Sequence, residues 1–101
     1  MSVYAVFVRD RMHDLEEFKV YTQKSGAARA GHPLKAHVYY GAVEVLEGPP
    51  VDGVVIVEFP DKAAALAWYQ SPAYQEAKVH RLKAADYRVF LVDGLDAPPA
   101  R

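Results

Sequence analysis

The chain has 101 residues, enough for one domain with a single modest core. Twelve lysines and arginines against 13 aspartates and glutamates give a formal charge of −1, so no basic surplus exists to neutralise phosphates, and nucleic acid is not an expected partner. Cysteine is absent, which removes disulfides, thiolate nucleophiles, zinc–thiolate sites and iron–sulfur clusters from consideration.

Residues 2–9, SVYAVFVR, form a β-branched and aromatic run of strand length that is apolar on both faces. This opening has neither a basic leader nor a small-residue cleavage site, and no run approaches the about 18 apolar residues of a membrane span. The basic residues are scattered, which argues against an anionic membrane surface. A cytoplasmic protein is expected. Asp14 is a good N-cap for a helix carrying Leu15, Phe18 and Tyr21 at spacing three, and Gly31-His32-Pro33 is expected to stop it.

Residues 35–48 form a long strand-type stretch interrupted by Gly41, where a bulge or a close backbone approach is expected. GPPVDG (48–53) is turn chemistry and VVIVEF (54–59) is a further strand, so the two strands are expected to pair as an antiparallel hairpin. Asp61 caps a helix over 61–70. Ser71-Pro72 then reads as a second start, because serine suits the N-cap and proline's missing donor is unneeded at the first helical position. A second helix over 72–84 and a strand over 86–94 complete the pattern. One domain is placed over 1–95, with a polar, proline-containing tail over 96–101.

The order β-α-β-β-α-β specifies an α+β, ferredoxin-like sandwich: a four-stranded antiparallel sheet, strands one and three central, with the helices on one face. In such a fold the other sheet face meets water and should alternate with polar residues. Here Val54 and Ile56 stand opposite Val55, Val57 and Phe59, and Phe90 and Val92 stand opposite Val89 and Leu91. No segment of the chain remains to cover that second face. A homodimer with two sheets packed together, or closed into a shared barrel, is expected.

VEVLEG (43–48), VEFPDKAAALAWYQSPAYQEA (57–77), Arg81 and AADYRVFLVDG (84–94) together resemble the family catalogued as domain of unknown function 1330. That family is related to the ferredoxin-like dimeric α/β barrels, and the likeness runs from the first strand to the last, about nine-tenths of the chain. It implies a dimeric barrel and no established activity. The sequence departs from the family at the second strand: Pro33-Leu34 and Tyr39-Tyr40-Gly41 stand where members often carry Gly-Gly and Arg-Gly-Gly, and Pro49-Pro50 replace a common tryptophan.

Of His13, His32, His37 and His80, none has the i, i+4 helical pairing of a metal site, so neither metal nor cofactor is expected. Glu44 and Glu58 are strand carboxylates, and a buried Glu58 would need Arg81 or Arg88 as partner. His37 and Glu44 are the candidate acid–base residues. Trp68, Tyr74, Arg81 and Tyr39 are the candidate ligand shell, with Arg81 holding an anion. Two readings stay open. One is a small-molecule-binding dimer that acts as a cofactor-independent enzyme of oxygenase or isomerase type on an aromatic or anionic metabolite, by fold analogy. The other is a non-catalytic ligand-binding or accessory dimer in which the same residues are structural.

Overall fold

The structure, a computed structural model, describes residues 2–95; the tail expected over 96–101 lies outside them. The elements follow as β1 (Val3–Met12), α1 (Leu15–Ala27), β2 (Lys35–Tyr39), β3 (Gly53–Phe59), α2 (Lys62–Tyr69), α3 (Pro72–Ala84) and β4 (Ala85–Asp93). The sheet is antiparallel with strand order β2-β3-β1-β4, so the two strands with the most continuous apolar runs hold the centre, as expected.

Local chemistry accounts for the helix boundaries. Asp14 accepts hydrogen bonds from the backbone N–H groups of Glu16 and Glu17, and Asp61 accepts one from Ala64 at 2.8 Å. At the Ser-Pro break, Ser71 Oγ accepts from the Tyr74 N–H and donates to the Trp68 carbonyl at 2.7 Å, so one hydroxyl serves the end of α2 and the start of α3. The Gln75 side chain donates to the Tyr69 carbonyl at 2.7 Å, satisfying another orphan of the α2 terminus. The proline is a restart, with Pro72 in the first turn of α3. Helix α1 ends at Ala27, short of the expected stop, and Gly31 (φ +80°) turns the chain toward β2.

One face of the sheet buries Val3, Ala5 and Phe7 of β1 and Val55, Val57 and Phe59 of β3 against Tyr21, Trp68, Tyr74 and Ala77 of the helices. Leu15, placed on the α1 stripe with Phe18 and Tyr21, is exposed. The opposite face carries no helix. Its centre is a row running Val38, Ile56, Val6, Phe90 in strand register, flanked by Val8, Val54 and Val92. Phe90 and Val92 are 47% and 48% exposed.

The expected strand over 35–48 is corrected. Only Lys35–Tyr39 joins the sheet; Tyr40 adopts φ 53° and turns the backbone off the ladder, and residues 41–50 are all exposed. β2 and β3 do pair antiparallel, but through residues 40–52 rather than a tight turn. Val43, Val45 and Leu46 have strand-like composition but no strand beside them within the chain. This arm makes the molecule 46 × 37 × 16 Å, with a radius of gyration of 14.3 Å. A compact chain of this length has about 13 Å.

Candidate functional site

A cavity of about 270 Å³ opens between α1 and the β2–β3 side of the sheet. Phe7, Val55 and Val57 form its floor, Trp68 closes one end, Tyr21 stands in the α1 wall, and Tyr39 and Tyr40 bound the β2 side. Each position follows from periodicity: Tyr21 lies on the inward stripe of α1, and Val55 and Val57 alternate inward along β3. Arg29, just past the end of α1, is the single charged residue of the lining; no carboxylate belongs to it. The Trp68 side chain is buried, and its indole N–H has no hydrogen-bond partner among the described residues. A buried donor without an acceptor is costly, so an acceptor that reached it would gain by meeting it.

Behind this wall lies a second layer of polar groups. The Tyr21 hydroxyl is 2.9 Å from that of Tyr74, and the Tyr40 hydroxyl is 2.6 Å from that of Tyr87. Burial pushes all four phenols above their ordinary range, Tyr21 and Tyr40 farthest because their phenol partners raise them further. All four are therefore neutral donors at physiological pH. Arg81 opposes the shift at Tyr74, and Arg9 and Arg81 oppose it at Tyr87. Arg81 is 3% exposed, with its guanidinium 5.2 Å from the Tyr87 ring centre and 5.8 Å from that of Phe7. No described carboxylate pairs with it. Its charge rests on aromatic faces, on the Tyr74 oxygen and on the C-terminal turn of α3. Arg9 lies 4.8 Å over the Tyr40 ring and is tied to Asp52 at 2.9 Å.

The residues expected to form the site are divided among three places. Trp68 and Tyr39 line the cavity. Tyr74 and Arg81 lie one layer behind it, with Tyr21 between Tyr74 and the open space. His37 and Glu44 do not reach it: His37 sits on the open sheet face, where Nε2 meets Glu58 Oε1 at 2.6 Å and its ring stacks near Tyr4, while Glu44 stands on the exposed arm. Glu58 takes its hydrogen bonds from His37 and Ser2, not from an arginine. β3 turns Glu58 to the face away from Arg81, and Arg88 is occupied by Asp10 at 2.9–3.0 Å. His80 and His13 bond to Glu17 and Asp86. Among the described residues no three metal-ligating side chains gather. Tyr21, Tyr40, Tyr87 and Arg29 are not among the site residues expected from the sequence, although Tyr21 lies on the expected α1 stripe and Tyr40 beside Tyr39. The spacing Tyr74, Ala77, Arg81, Ala84 does place the arginine on the core stripe of α3, a signal that was available.

The model of the family described as domain of unknown function (DUF1330) matches residues 2–95. No curated protein matches the chain. Among solved structures, a protein of unknown function from Rhodopseudomonas palustris is 25% identical, with 95% of this chain and 84% of that one covered and a TM-score of 0.73. SnoaB, a cofactor-independent oxygenase from Streptomyces nogalater, is 16% identical, with 97% of each chain covered and a TM-score of 0.66. A dimeric protein of unknown function with a ferredoxin-like fold from Bacteroides fragilis is 14% identical, covering 92% of this chain and 96% of that one, with a TM-score of 0.60. The shared fold is ferredoxin-like, as it is in a matching dabb family protein from Mesorhizobium loti.

Proposed function

The chain belongs to the DUF1330 family, and we propose that it is a homodimeric binding protein for a small, flat, anionic metabolite held between α1 and the sheet. The observation that carries this reading is the cavity itself: aromatic walls that include Trp68, one arginine and no carboxylate. Flat apolar walls with a few convergent donors suit an aromatic body bearing a negative group. The binding reading is favoured over an enzyme working through His37 and Glu44, because neither lies within the cavity and no other histidine or carboxylate lines it. The likeness to an oxygenase is one of fold at 16% identity. The dimer is supported by the uncovered apolar sheet face and by the dimeric neighbour of the same fold.

A thermal-shift panel of aryl carboxylates and phenols tests the proposal. A ligand present at a hundredfold excess over its Kd adds about 2.7 kcal/mol to the native state, raising the midpoint by about 10–20 °C for a domain of this size. The rise should shrink in Trp68→Phe, which keeps a smaller aromatic ring but loses the N–H. A panel without any stabilising compound would oppose the reading.

A further inference from the structure

Resting on the homodimer proposed above, we propose that the arm over residues 41–50 is an interface strand, in which residues 42–46 pair with the free edge of β4 in the second copy. The arm has the composition of a strand and none of its bonds. Val43 and Val45 stand at spacing two with Glu44 between them, so one side of the arm is apolar and the other charged. Residues 41–45 run without a turn or bend, and Val43, Val45 and Leu46 are exposed. Among the described residues, no backbone group of 41–51 enters a backbone hydrogen bond. An extended, β-branched segment with its ladder unpaired is a template for another strand.

The sheet offers two edges, and they are not alike. β2 is five residues long, begins on Lys35 and shifts register between Ala36 and Val38; shortness, lysine and an irregular ladder all blunt an edge. β4 keeps an unbroken register with β1 from Tyr87 to Asp93 and carries the uncharged run Val89-Phe90-Leu91-Val92. Among the described residues, no strand lies on its other side. Phe90 and Val92, half exposed on the open face, repeat the spacing of Val43 and Val45, so pairing would set the valines beside them and widen the apolar face.

A second copy is the occupant that the geometry selects. The arm leaves the sheet at β2, and β3 and β1 separate it from its own β4. A two-fold axis running along the strands sets the β2 edge of each copy over the β4 edge of the other, so two arms meet two edges and the contact closes. Five extended residues reach about 16 Å, more than the about 10 Å between packed sheets. Area points the same way. From four strands and the seven residues of β3, the open face is about 19 Å by about 23 Å, or about 440 Å² in plan. A stable interface takes about 800 Å² from each partner, so the face alone falls short and the arms and edges add to it.

The test is amide hydrogen exchange on the wild-type protein, read residue by residue by NMR, with sedimentation equilibrium giving the mass. In the dimer, alternate amides within 42–46 should exchange at least about tenfold more slowly than in a free peptide of the same sequence, and so should the β4 amides that face away from β1. In the double variant Glu44→Pro, Val45→Pro, one of the two consecutive prolines falls on a donor that faces the second copy. It should abolish both protections and weaken the dimer, while the body of each chain stays folded because the arm makes no backbone bond to it. A dimer whose arm amides all exchange at the free-peptide rate would overturn the shared strand and leave the open-face dimer standing. Protected arm amides without protection along the outer edge of β4 would overturn the pairing. A monomeric wild type would overturn both readings. The wild-type exchange decides the matter even if the variant fails to fold.

Discussion

Replacing Phe90 tests whether a second copy covers the open sheet face. Phe90 lies in the row that runs Val38, Ile56, Val6, Phe90 across all four strands, and it is 47% exposed in the single chain. Burying the exposed part of a phenylalanine removes about 90 Å² from water, or about 2 kcal/mol at 25 cal/mol per Å². A two-fold dimer contains the residue twice, so Phe90→Ala should weaken dimerisation by about 4–5 kcal/mol, about a thousandfold in Kd. Phe90→Glu should abolish the dimer at micromolar concentration, because two carboxylates would be buried without partners. Leu82→Glu, on α3 across the sheet and 62% exposed, should leave it intact. Sedimentation equilibrium reads all three. A monomeric wild type, or a Phe90→Glu protein that still dimerises with wild-type affinity, would refute the reasoning.

Other consequences concern the helix-side layer and one surface carboxylate. Tyr74→Phe leaves the Tyr21 hydroxyl without its buried partner and should cost about 1–2 kcal/mol, lowering the melting midpoint by about 5–15 °C. Arg81→Met replaces a buried cation that has no described counter-ion, so the midpoint should stay within about 5 °C of wild type or rise; a fall beyond about 10 °C would show a strong partner for the guanidinium. A Cβ at Gly53 would meet Tyr40 Cδ1 at 2.8 Å and Arg9 Nη2 at 3.1 Å, so Gly53→Ala should destabilise by about 1–3 kcal/mol and displace Tyr40, visible as a lower midpoint. His37, and then Ser2, hold the Glu58 carboxyl below its ordinary range. A depressed carboxylate stabilises the fold above its unfolded pKa and loses that contribution as pH falls through its folded value. The midpoint difference between wild type and Glu58→Gln should therefore be present at neutral pH and vanish as the solution is acidified below the glutamate range.

The elements were legible in the sequence wherever local chemistry decides them. Asp14, Asp61 and Ser71-Pro72 announce three helix starts, and each cap is made. The two-sided apolar strands announced a face that the chain does not cover. The end of β2 was not legible, since Val43 and Val45 have strand composition and only the positive φ of Tyr40 removes them from the ladder. The site was half legible for a related reason. Spacing tells which face a residue occupies but not its depth, so Trp68 was placed among the ligand-facing residues and Tyr74 with it, although Tyr21 stands between Tyr74 and the cavity. His37 was expected near the site because it is a strand histidine beside aromatics. The register shift between Ala36 and Val38 leaves it on the open face with Glu58.

Trp68 is the only tryptophan in the sequence, so its indole N–H gives one isolated signal in a proton–nitrogen correlation spectrum. Titrating the protein with an aryl carboxylate or phenolate that stabilises it should move that signal downfield in a saturable way, as the orphaned donor acquires an acceptor. A stabilising anionic ligand that leaves the Trp68 indole signal unmoved at saturation would contradict the account.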